Sequence, residues 1–327
     1  MRRSLTITPH SFALARPFRI SRGTKSAADV VHVVIGENGV AGRGEGVPYP
    51  RYGESVGGAI AAIEAVRAAI EAGAGRDAIA ALMPAGAARN AVDCALWDLE
   101  ARLAGRRVAE LAEVPAPGRM ATALTVGLDT PDAMAAAAAL LAHVPLLKVK
   151  VDAADPAAQV RAVRRAAPGP RLIVDPNESW TIAVLDRMQD VLAEARVALL
   201  EQPLPAEADD ALVGYAGAVP IAADEALHGV DDLDRIAGRY GVVNIKLDKT
   251  GGLTAALALA DAARARGLGV MTGCMICSSL SIAPALLIAG RSAFVDLDGP
   301  FWLSHDLDGG GTEDGGMLVP PGEGFWG

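Results

Sequence analysis

Eight short apolar runs, each ending near a polar or charged residue and each followed by an alanine-rich stretch, recur along the second part of the chain. The polar residues are spaced 25, 25, 26, 23, 22, 26 and 26 residues apart, and they are Thr125, Lys150, Asp175, Glu201, Asp224, Lys246, Thr272 and Asp298. A strand followed by a helix in each of eight such units predicts a (β/α)8-like barrel. A leucine-rich repeat has a similar period, but its L-x-x-L-x-L skeleton is absent from the sequence.

The length of the repetitive part modifies this prediction. Residues 119–299 comprise 181 positions, fewer than the roughly 200 that such barrels usually need. We therefore expect short loops and a last helix that is missing or displaced. The Gly-rich tail, 300–327, is expected to pack back on the N-terminal part.

The N-terminal part, 1–118, has a different pattern and is expected to form an α+β module. The stretch DVVHVVIGENGVAGRGEG alternates on both sides of Asn38-Gly39, a dipeptide typical of tight hairpin turns. Gly42, Gly44 and Gly46 faintly resemble a dinucleotide-binding loop, but no helix follows them directly, which favours the hairpin. Two helices should follow over 55–73 and 86–105, each closed by a glycine.

Charge and cysteine content limit the environment and the partners of the chain. The net charge of −9 argues against nucleic acid or an anionic membrane as a partner, although a small ligand would respond to local charge. The basic start is followed by no apolar run of a secretory signal, and the longest apolar run is too short to span a membrane. Three cysteines, an odd number, suit a reducing cytoplasm, where we expect the protein to lie. Cys274 and Cys277 form a C-x-x-C without a second pair or a nearby histidine, which favours packing over a zinc or redox role.

Five of the repeat positions, on consecutive strands, combine three acids with two lysines. Because the C-terminal ends of parallel barrel strands converge on one cavity, the second to sixth strands deliver Lys150, Asp175, Glu201, Asp224 and Lys246 to the same place. Each acid alone could equally be a helix N-cap, but three in register between two lysines favour a site for a hard cation. Ligands that are all oxygen suit Mg²⁺ or Mn²⁺ better than Zn²⁺.

A third lysine accompanies the first of these. Lys148 lies two residues before Lys150, so on a strand both side chains point to the same face. Since the second and sixth strands lie on opposite sides of a barrel mouth, Lys150 and Lys246 should face each other across a ligand held by the metal. A divalent cation and a neighbouring ammonium favour the neutral form of such a lysine, which can then remove a proton while the other lysine delivers one. Lys148 is expected to tune Lys150 and to bind a substrate oxygen.

These parts predict a family of reactions. The cation would stabilise the enediolate formed when a carboxylic acid loses its α-proton, which suits inversion of a stereocentre, a β-elimination or a cycloisomerisation. Asp296 and Asp298 share a face of the last strand and could bind a cationic group such as a substrate's α-ammonium. D-x-D-G also opens the phosphatase motif of haloacid dehalogenases, but that motif begins its domain, and only 29 residues follow Asp298 here. A plain loop role for these aspartates is the alternative.

Nine segments, in order and nearly from end to end, carry a more specific signal: VPYPRYGES, PAGAARNAVDCALWDLE, LLKVK, LIVDPNESW, LLEQPLP, ADE, VNIKLDKTGGLT, GCM and DLDGP. In these segments the chain resembles the dipeptide epimerases of the enolase superfamily, within the muconate-lactonizing-enzyme subgroup, and specifically the L-Ala-D/L-Glu epimerases. The resemblance implies a modified (β/α)7β TIM-like barrel over 119–299. An α+β capping domain over 1–118, completed by the tail 300–327, would cover it.

The resemblance also implies which residues perform the chemistry. Asp175, Glu201 and Asp224 would bind one Mg²⁺ per subunit, with Mn²⁺ as an alternative. Lys150 and Lys246 would be the acid/base pair, and a lysine or histidine base with Mg²⁺ is a general pattern in this superfamily.

The substrate implied by the resemblance is a small dipeptide, and the residues that would bind it are Lys148, Asp296, Asp298, Thr125, Lys25 and Arg22. Asp296 and Asp298 would hold its ammonium group. Arg22 or Lys25, in the loop ISRGTKS, would meet the carboxylate of a C-terminal glutamate. The resemblance implies an arginine where this chain has Lys25, and lysine offers a point charge in place of a bidentate fork. Pro176 likewise replaces the usual small residue after the first metal ligand.

The expected activity is Mg²⁺-dependent epimerisation of L-Ala-D/L-Glu by 1,1-proton transfer through an enolate, in murein peptide recycling. A dipeptide epimerase of different specificity is one alternative, and a muconate cycloisomerase or o-succinylbenzoate synthase, which has no ammonium to bind, is another. A Schiff-base aldolase using Lys246 needs no metal. The intact site argues against a barrel kept only for binding, and a homo-oligomer is left open.

Overall fold

The chain begins with a three-stranded antiparallel sheet. The computed structural model describes residues 3–327, and its first strands, in spatial order, are β1 (Ser4–Ile20), β2 (Gly23–Glu37) and β3 (Val40–Gly46). Glu37 pairs with Val40, and between them Asn38 and Gly39 have φ of 53° and 79°. Positive φ at both central residues matches the twist of a two-residue hairpin, so the predicted hairpin is confirmed.

Five helices follow this sheet: α1 (Val56–Ala65), α2 (Arg67–Glu71), α3 (Arg76–Leu82), α4 (Ala87–Ala104) and α5 (Val108–Leu111). The helix predicted over 55–73 is divided at Val66, where φ of −103° and ψ of 4° interrupt the helical backbone. The helix predicted over 86–105 is confirmed. Gly105 ends it in the left-handed conformation, with φ of 59°.

The three glycines of β3 are explained by the packing of this strand on α4. Gly42, Gly44 and Gly46 alternate along the strand and so share the face that meets the helix. A Cβ at Gly44 would lie 2.1 Å from the carbonyl oxygen of Ala91. The two backbones can therefore approach this closely only where the strand carries glycine.

Eight parallel strands form the barrel, as predicted. After a short strand, β4 (Met120–Ala121), they follow in chain and spatial order: β5 (Leu124–Val126), β6 (Leu146–Lys150), β7 (Arg171–Asp175), β8 (Val197–Glu201), β9 (Ile221–Ala223), β10 (Val242–Ile245), β11 (Gly269–Gly273) and β12 (Phe294–Asp296). The Ala123 N–H donates to the Val295 carbonyl oxygen at 2.8 Å and so joins the first and last strands.

Helices surround the barrel, but not after every strand: α6 (Pro131–Leu140), α7 (Pro156–Ala166), α8 (Ile182–Glu194), α9 (Leu233–Ile236), α10 (Leu247–Thr250), α11 (Leu253–Ala265) and α12 (Ser279–Ala289). The α-helix expected after β8 is wrong: a 3₁₀ helix, Ala206–Leu212, stands there, and its two buried residues offer too small an inner face for a longer helix. After β12 a 3₁₀ helix, Gly299–Trp302, also replaces the last helix. The barrel is the modified (β/α)7β form, and these short connections explain its small size.

The C-terminal tail contacts both parts of the chain. Its hairpin, β13 (Thr312–Asp314) and β14 (Met317–Val319), pairs with β4. Further on, the Gly327 N–H donates to Asp98 of α4 at 2.7 Å and the Trp326 indole donates to the Arg43 carbonyl of β3 at 2.9 Å. The domain limits 1–118, 119–299 and 300–327 stay a prediction. Within residues 3–327, no helix has the length and apolar character needed to cross a membrane, and the three cysteines are free.

Candidate active site

The barrel interior is built in layers of inward-facing positions. The lower layer is apolar and takes one residue from each strand or its edge: Ala123, Leu146, Ile173, Leu199, Ala222, Val242, Met271 and Phe294. Because side chains on a strand alternate, the positions two residues further also face inward. They form a layer of mostly polar residues: Thr125, Lys148, Asp175, Glu201, Asp224, Asn244, Gly273 and Asp296. The apolar layer closes the bottom of the barrel, so this charged layer is open only towards the C-terminal ends of the strands.

A cavity of about 490 Å³ lies at those ends, under the tip of the β1–β2 hairpin and the segment 49–52. Its lining includes both predicted catalytic lysines and every predicted substrate-binding residue: Lys150, Lys246, Lys148, Asp296, Asp298, Thr125, Lys25 and Arg22. The three predicted metal ligands, Asp175, Glu201 and Asp224, lie beneath these side chains and are at most 1% exposed. The structure therefore brings all the predicted site residues together.

Lys148 lies at the centre of the charged layer. Its Nζ is 2.7 Å from Asp296 Oδ2, 2.7 Å from Glu201 Oε2 and 3.1 Å from Asp175 Oδ2. Burial alone would lower the pKa of Lys148, but the charges of these three acids outweigh burial and hold that pKa well above its usual value. Lys148 is therefore a permanent counter-ion for the acids.

The other two lysines each contact one acid from opposite sides of the barrel. Lys150, at the end of β6, donates to Asp175 Oδ2 at 2.5 Å, and Lys246, after β10, donates to Asp224 Oδ2 at 2.7 Å. Burial disfavours the charged form of Lys246, but Asp224 outweighs burial and raises its pKa. The predicted shift towards the neutral form was based on a divalent cation and a neighbouring ammonium; at Lys246 the carboxylate of Asp224 acts in the opposite direction.

The three acids differ in charge although they share one layer. Burial, together with the charge of Asp175, raises the pKa of Glu201 to about 7. Burial acts in the same direction on Asp175, but the ammonium of Lys150 outweighs it and the pKa falls to about 2. Despite burial, Lys246 likewise holds the pKa of Asp224 well below its usual value. Lysine contacts thus keep two of the acids ionised, while burial favours the neutral form of the third.

The donors for a hard cation are present, although lysines now contact them. Glu201 Oε2 is buried and has no hydrogen-bond partner within residues 3–327, even though Lys148 Nζ lies 2.7 Å away. The Asn244 amide donates to the other oxygen, Glu201 Oε1, at 2.8 Å. As the side chains stand, no three or more His, Cys, Asp or Glu residues in this range are placed so that they could hold one metal ion. Asp175 and Asp224 instead each accept from a lysine. The shared metal site stays a prediction.

The two aspartates of the last strand differ in how much of each carboxylate is engaged. Asp296 Oδ2 contacts Lys148, and its Oδ1 is buried without a hydrogen-bond partner in the described part of the chain. Asp298 Oδ2 accepts from the Thr125 N–H at 2.8 Å and from the Trp302 indole at 3.1 Å. Burial and the charge of Asp296 raise the pKa of Asp298 to about 6. Asp296 therefore has a buried acceptor oxygen that no hydrogen-bond donor of the described chain engages.

The tip of the β1–β2 hairpin covers the cavity. Arg22 in this tip forms ion pairs with Glu225 at 2.7 Å and with Glu178 at 3.0 Å. The Nζ of Lys25 lies 4.5 Å from the centre of the Tyr49 ring, and burial lowers its pKa. Within residues 3–327 no carboxylate lies at ion-pair distance from Lys25. Arg22 thus fastens the hairpin, while Lys25 presents a cation to the cavity.

Sequence analysis missed three residues that hold the acids. Asn244 contacts Glu201, Gln202 Oε1 accepts from the Asp224 N–H at 2.8 Å, and Lys249 donates to Asp224 Oδ1 at 2.7 Å. Asn244 could have been found, because it precedes a site lysine by two residues, like the first lysine of β6. Gln202 and Lys249 lie within segments already quoted, but no periodicity distinguishes them there.

Family models and related sequences match both parts of the chain. The mandelate racemase / muconate lactonizing enzyme N-terminal domain matches residues 2–112, and the enolase C-terminal domain-like family matches residues 132–325. The L-Ala-D/L-Glu epimerase of Escherichia coli (strain K12) is 47% identical over 94% of this chain and 96% of its own. An N-acetyl-D-glutamate racemase of Pseudoalteromonas sp is 41% identical over 91% of this chain and 95% of its own.

Solved structures share the whole architecture. An enolase family member from Agrobacterium tumefaciens with homology to dipeptide epimerases, with bound sodium and L-Ala-L-Glu, has a TM-score of 0.97 at 47% identity, over 99% of this chain and 100% of its own. A dipeptide epimerase from Enterococcus faecalis V583, complexed with Mg and L-Leu-L-Tyr, has a TM-score of 0.91 at 28% identity, over 98% of both chains. The similarity therefore covers the N-terminal sheet, the barrel and the tail.

Proposed function

This chain belongs to the mandelate racemase / muconate lactonizing enzyme family and is an isomerase of the enolase superfamily, and we propose that it epimerises L-Ala-D/L-Glu dipeptides in a Mg²⁺-dependent reaction. The reaction would move a proton from one face of the C-terminal residue's α-carbon to the other, through an enolate. The observation that carries this proposal is the placement of Lys150 and Lys246 on opposite sides of one cavity, above three buried acids.

Asp175, Glu201 and Asp224 are the residues that would hold one Mg²⁺, or Mn²⁺, in each subunit. Their oxygen donors match the preference of these ions. Within residues 3–327 the buried Oε2 of Glu201 has the Lys148 ammonium 2.7 Å away but no hydrogen-bond partner, so it is an acceptor that a cation would satisfy. The Mg in the Enterococcus faecalis relative supports this choice. When bound, the ion supplies Lewis-acid stabilisation of the negative charge that forms on a substrate carboxylate.

Lys150 and Lys246 would hold and move the proton. One lysine removes it from the face that it meets, and the other returns a proton to the opposite face, so the two exchange roles with the substrate enantiomer. Asp175 and Asp224 orient the ammonium groups through contacts of 2.5 and 2.7 Å. The apolar layer beneath excludes water and keeps these charges effective.

The ends of the substrate would be recognised by opposite charges. The unengaged Oδ1 of Asp296 suits the α-ammonium of a dipeptide, with Asp298 beside it held by Thr125. Lys25 suits the side-chain carboxylate of glutamate, because Arg22 is engaged with Glu225 and Glu178. A lysine offers a point charge, so we expect some tolerance of other acidic side chains.

The test is deuterium exchange in D₂O with Mg²⁺. L-Ala-L-Glu and L-Ala-D-Glu should acquire deuterium at the glutamyl α-carbon and interconvert. Lys150→Met and Lys246→Met should each exchange the α-proton of only one of the two dipeptides. The dipeptide that one variant still exchanges should be the one that the other variant does not. An absence of deuterium with every dipeptide tried would refute the proposal.

A matched substrate separates the dipeptide from an N-acylated amino acid such as the substrate named for the Pseudoalteromonas relative. N-acetyl-glutamate has the same carboxylates as L-Ala-Glu but no ammonium. Asp296→Asn should therefore lower kcat/KM for the dipeptide by about 10- to 100-fold, the loss of one charged hydrogen bond, and affect N-acetyl-glutamate less. Equal losses would exclude the ammonium role of Asp296.

The aldolase and lyase alternatives predict different outcomes. An imine-forming aldolase would release Lys246 from Asp224, and borohydride would trap its substrate; we expect no trapping. A lyase would not need Asp296 for an ammonium. Recycling of murein peptides in the cytoplasm is the setting that we propose, and a homo-oligomer remains a prediction.

A further inference from the structure

All lysines of this protein but one line the active-site cavity. Of the 30 lysines and arginines in the chain, 25 are arginine, and the remaining five are Lys25, Lys148, Lys150, Lys246 and Lys249. The first four line the cavity, and the fifth does not. Lys249 is thus a lysine that a substrate in the cavity would not contact. The contacts of the Lys249 side chain explain why this position requires a lysine and not an arginine.

Lys249 is buried behind one predicted metal ligand. Its Nζ donates to Asp224 Oδ1 at 2.7 Å, to the Asp224 carbonyl oxygen at 2.5 Å and to the Asn244 carbonyl oxygen at 3.0 Å. An ammonium has three N–H donors, so each has an acceptor. The residue is 2% exposed. The broad, planar guanidinium of arginine could not direct its donors at these three points.

The two oxygens of Asp224 are therefore held by different lysines. Lys246, in the cavity lining, contacts Oδ2, and Lys249, behind it, contacts Oδ1. With Oδ1 and the carbonyl both fixed to one ammonium, the carboxylate cannot rotate about its bond to the Cβ atom. The oxygen on the cavity side, Oδ2, now accepts from Lys246 and is the one that a ligand in the cavity would share with that lysine.

The backbone that carries Lys249 is anchored to the N-terminal part of the chain. Lys249 lies in α10, where the neighbouring Asp248 Oδ1 accepts from the Val47 N–H at 2.9 Å and from the Asn90 amide at 2.8 Å. Arg89 donates to the Thr250 carbonyl at 2.5 Å. Because these contacts hold the backbone on both sides of Lys249, its ammonium has a fixed position from which it can orient Asp224.

We propose that Lys249 is a positioning residue that orients Asp224 for the divalent cation of the active site. The inference rests on the proposed function, because it assumes that Asp224 is a metal ligand. Partners that orient a ligand typically change metal affinity by about 10- to 100-fold when they are removed. Lys249 itself would touch neither substrate nor ion.

The experiment measures Mg²⁺ binding to the full chain by titration calorimetry, alongside the Mg²⁺ concentration that gives half-maximal α-proton exchange. Lys249→Met removes the ammonium at similar length, and Lys249→Gln retains two N–H donors without the charge. Asp98→Asn is the matched control: Asp98 is a buried acid of α4 that accepts from the Arg43 and Gly327 N–H groups and does not contact Asp224. Circular dichroism and Tm monitor folding of each variant.

We expect Lys249→Met to raise the Kd for Mg²⁺ by about 10- to 100-fold, excess Mg²⁺ to restore part of the exchange rate, and Asp98→Asn to stay within about twofold of wild type. A Kd for Lys249→Met within twofold of wild type, or equal increases in both variants, would overturn the inference. If Lys249→Met does not fold, Lys249→Gln decides by the same criterion. Wild-type protein that binds no Mg²⁺ refutes the proposed function and this inference with it, whereas normal binding by both wild type and variant refutes the inference alone.

Discussion

Replacing Arg22 by methionine should release the tip of the β1–β2 hairpin from the barrel. Arg22 donates to Glu225 Oε1 at 2.7 Å, to Glu178 Oε2 at 3.0 Å and to the Asn177 carbonyl oxygen at 3.0 Å. The Glu225 and Glu178 side chains are 2% and 7% exposed, whereas that of Arg22 is 26% exposed. The variant would therefore leave Glu225 buried without its cation.

The free energy by which Arg22 holds the tip on the barrel can be worked out from these exposed fractions. A hydrogen bond between charged groups contributes about 1.5–3 kcal/mol when it is buried, and an exposed ion pair contributes at most about 1 kcal/mol. The Glu225 contact belongs to the first class. The Glu178 contact belongs nearer the second, because Arg51 remains 2.8 Å from Glu178 as its other partner. The sum of about 2–4 kcal/mol would raise the undocked fraction of the tip by about 30- to 1,000-fold.

The assay is native-state hydrogen exchange, followed by mass spectrometry of peptides that cover the tip. Faster exchange in Arg22→Met reports the opening free energy directly when reclosing is fast. Glu225→Gln and the double variant complete a cycle, and direct contact predicts a coupling of about 1–3 kcal/mol. Arg19→Met is the control, since Arg19 is an exposed arginine of the same hairpin. Exchange no faster than in Arg19→Met, or effects of the two substitutions that simply add, would refute the reasoning.

Three further predictions concern stability. Gly44→Ala should lower the free energy of unfolding, measured with denaturant, by about 1–3 kcal/mol, because the added Cβ would lie 2.1 Å from the Ala91 carbonyl oxygen. Gly57→Ala in α1, where the added Cβ meets no atom of residues 3–327, should raise it by about 0.5–1 kcal/mol, and equal effects of the two substitutions would contradict the close packing at Gly44. Burial raises the pKa of Asp248 to about 7, so between about pH 4 and pH 7 the carboxyl keeps its proton in the folded protein but has lost it in the unfolded chain. The free energy of unfolding of wild type should therefore fall by up to about 4 kcal/mol relative to that of Asp248→Asn as the pH rises through this range. Parallel curves of Tm against pH for the two proteins would contradict that shift. Mg²⁺ at a hundred times its Kd should stabilise the fold by about 2.7 kcal/mol, or about 4 °C in Tm at this chain length, and a chelator should reverse the change; a Tm that ignores Mg²⁺ would contradict the metal site.

The barrel could be predicted from the chain because its signals are local. A strand directs alternate side chains to one face, and parallel strands end at one rim. These two rules bring Lys148, Lys150 and the acids of three neighbouring strands to one rim of the barrel without any knowledge of the loops. The same rules, applied to β10, would have added Asn244. The helix after β8 was predicted wrongly, because the amount of surface that a segment can bury depends on neighbours remote in sequence.

Residue types and their order along the chain were thus enough for the kind of fold, the family and the rim where the charged groups meet. Tertiary structure alone revealed which partner each group takes. Arg22 pairs with Glu225, so Lys25 is the lysine that the hairpin tip presents to the cavity, and Lys249 contacts Asp224 from the side away from the cavity. Gly44 carries no side chain because a helix backbone some fifty residues later presses against it. Such contacts depend on ångström distances between remote segments, and the sequence periodicity that specifies each segment carries no information about those distances.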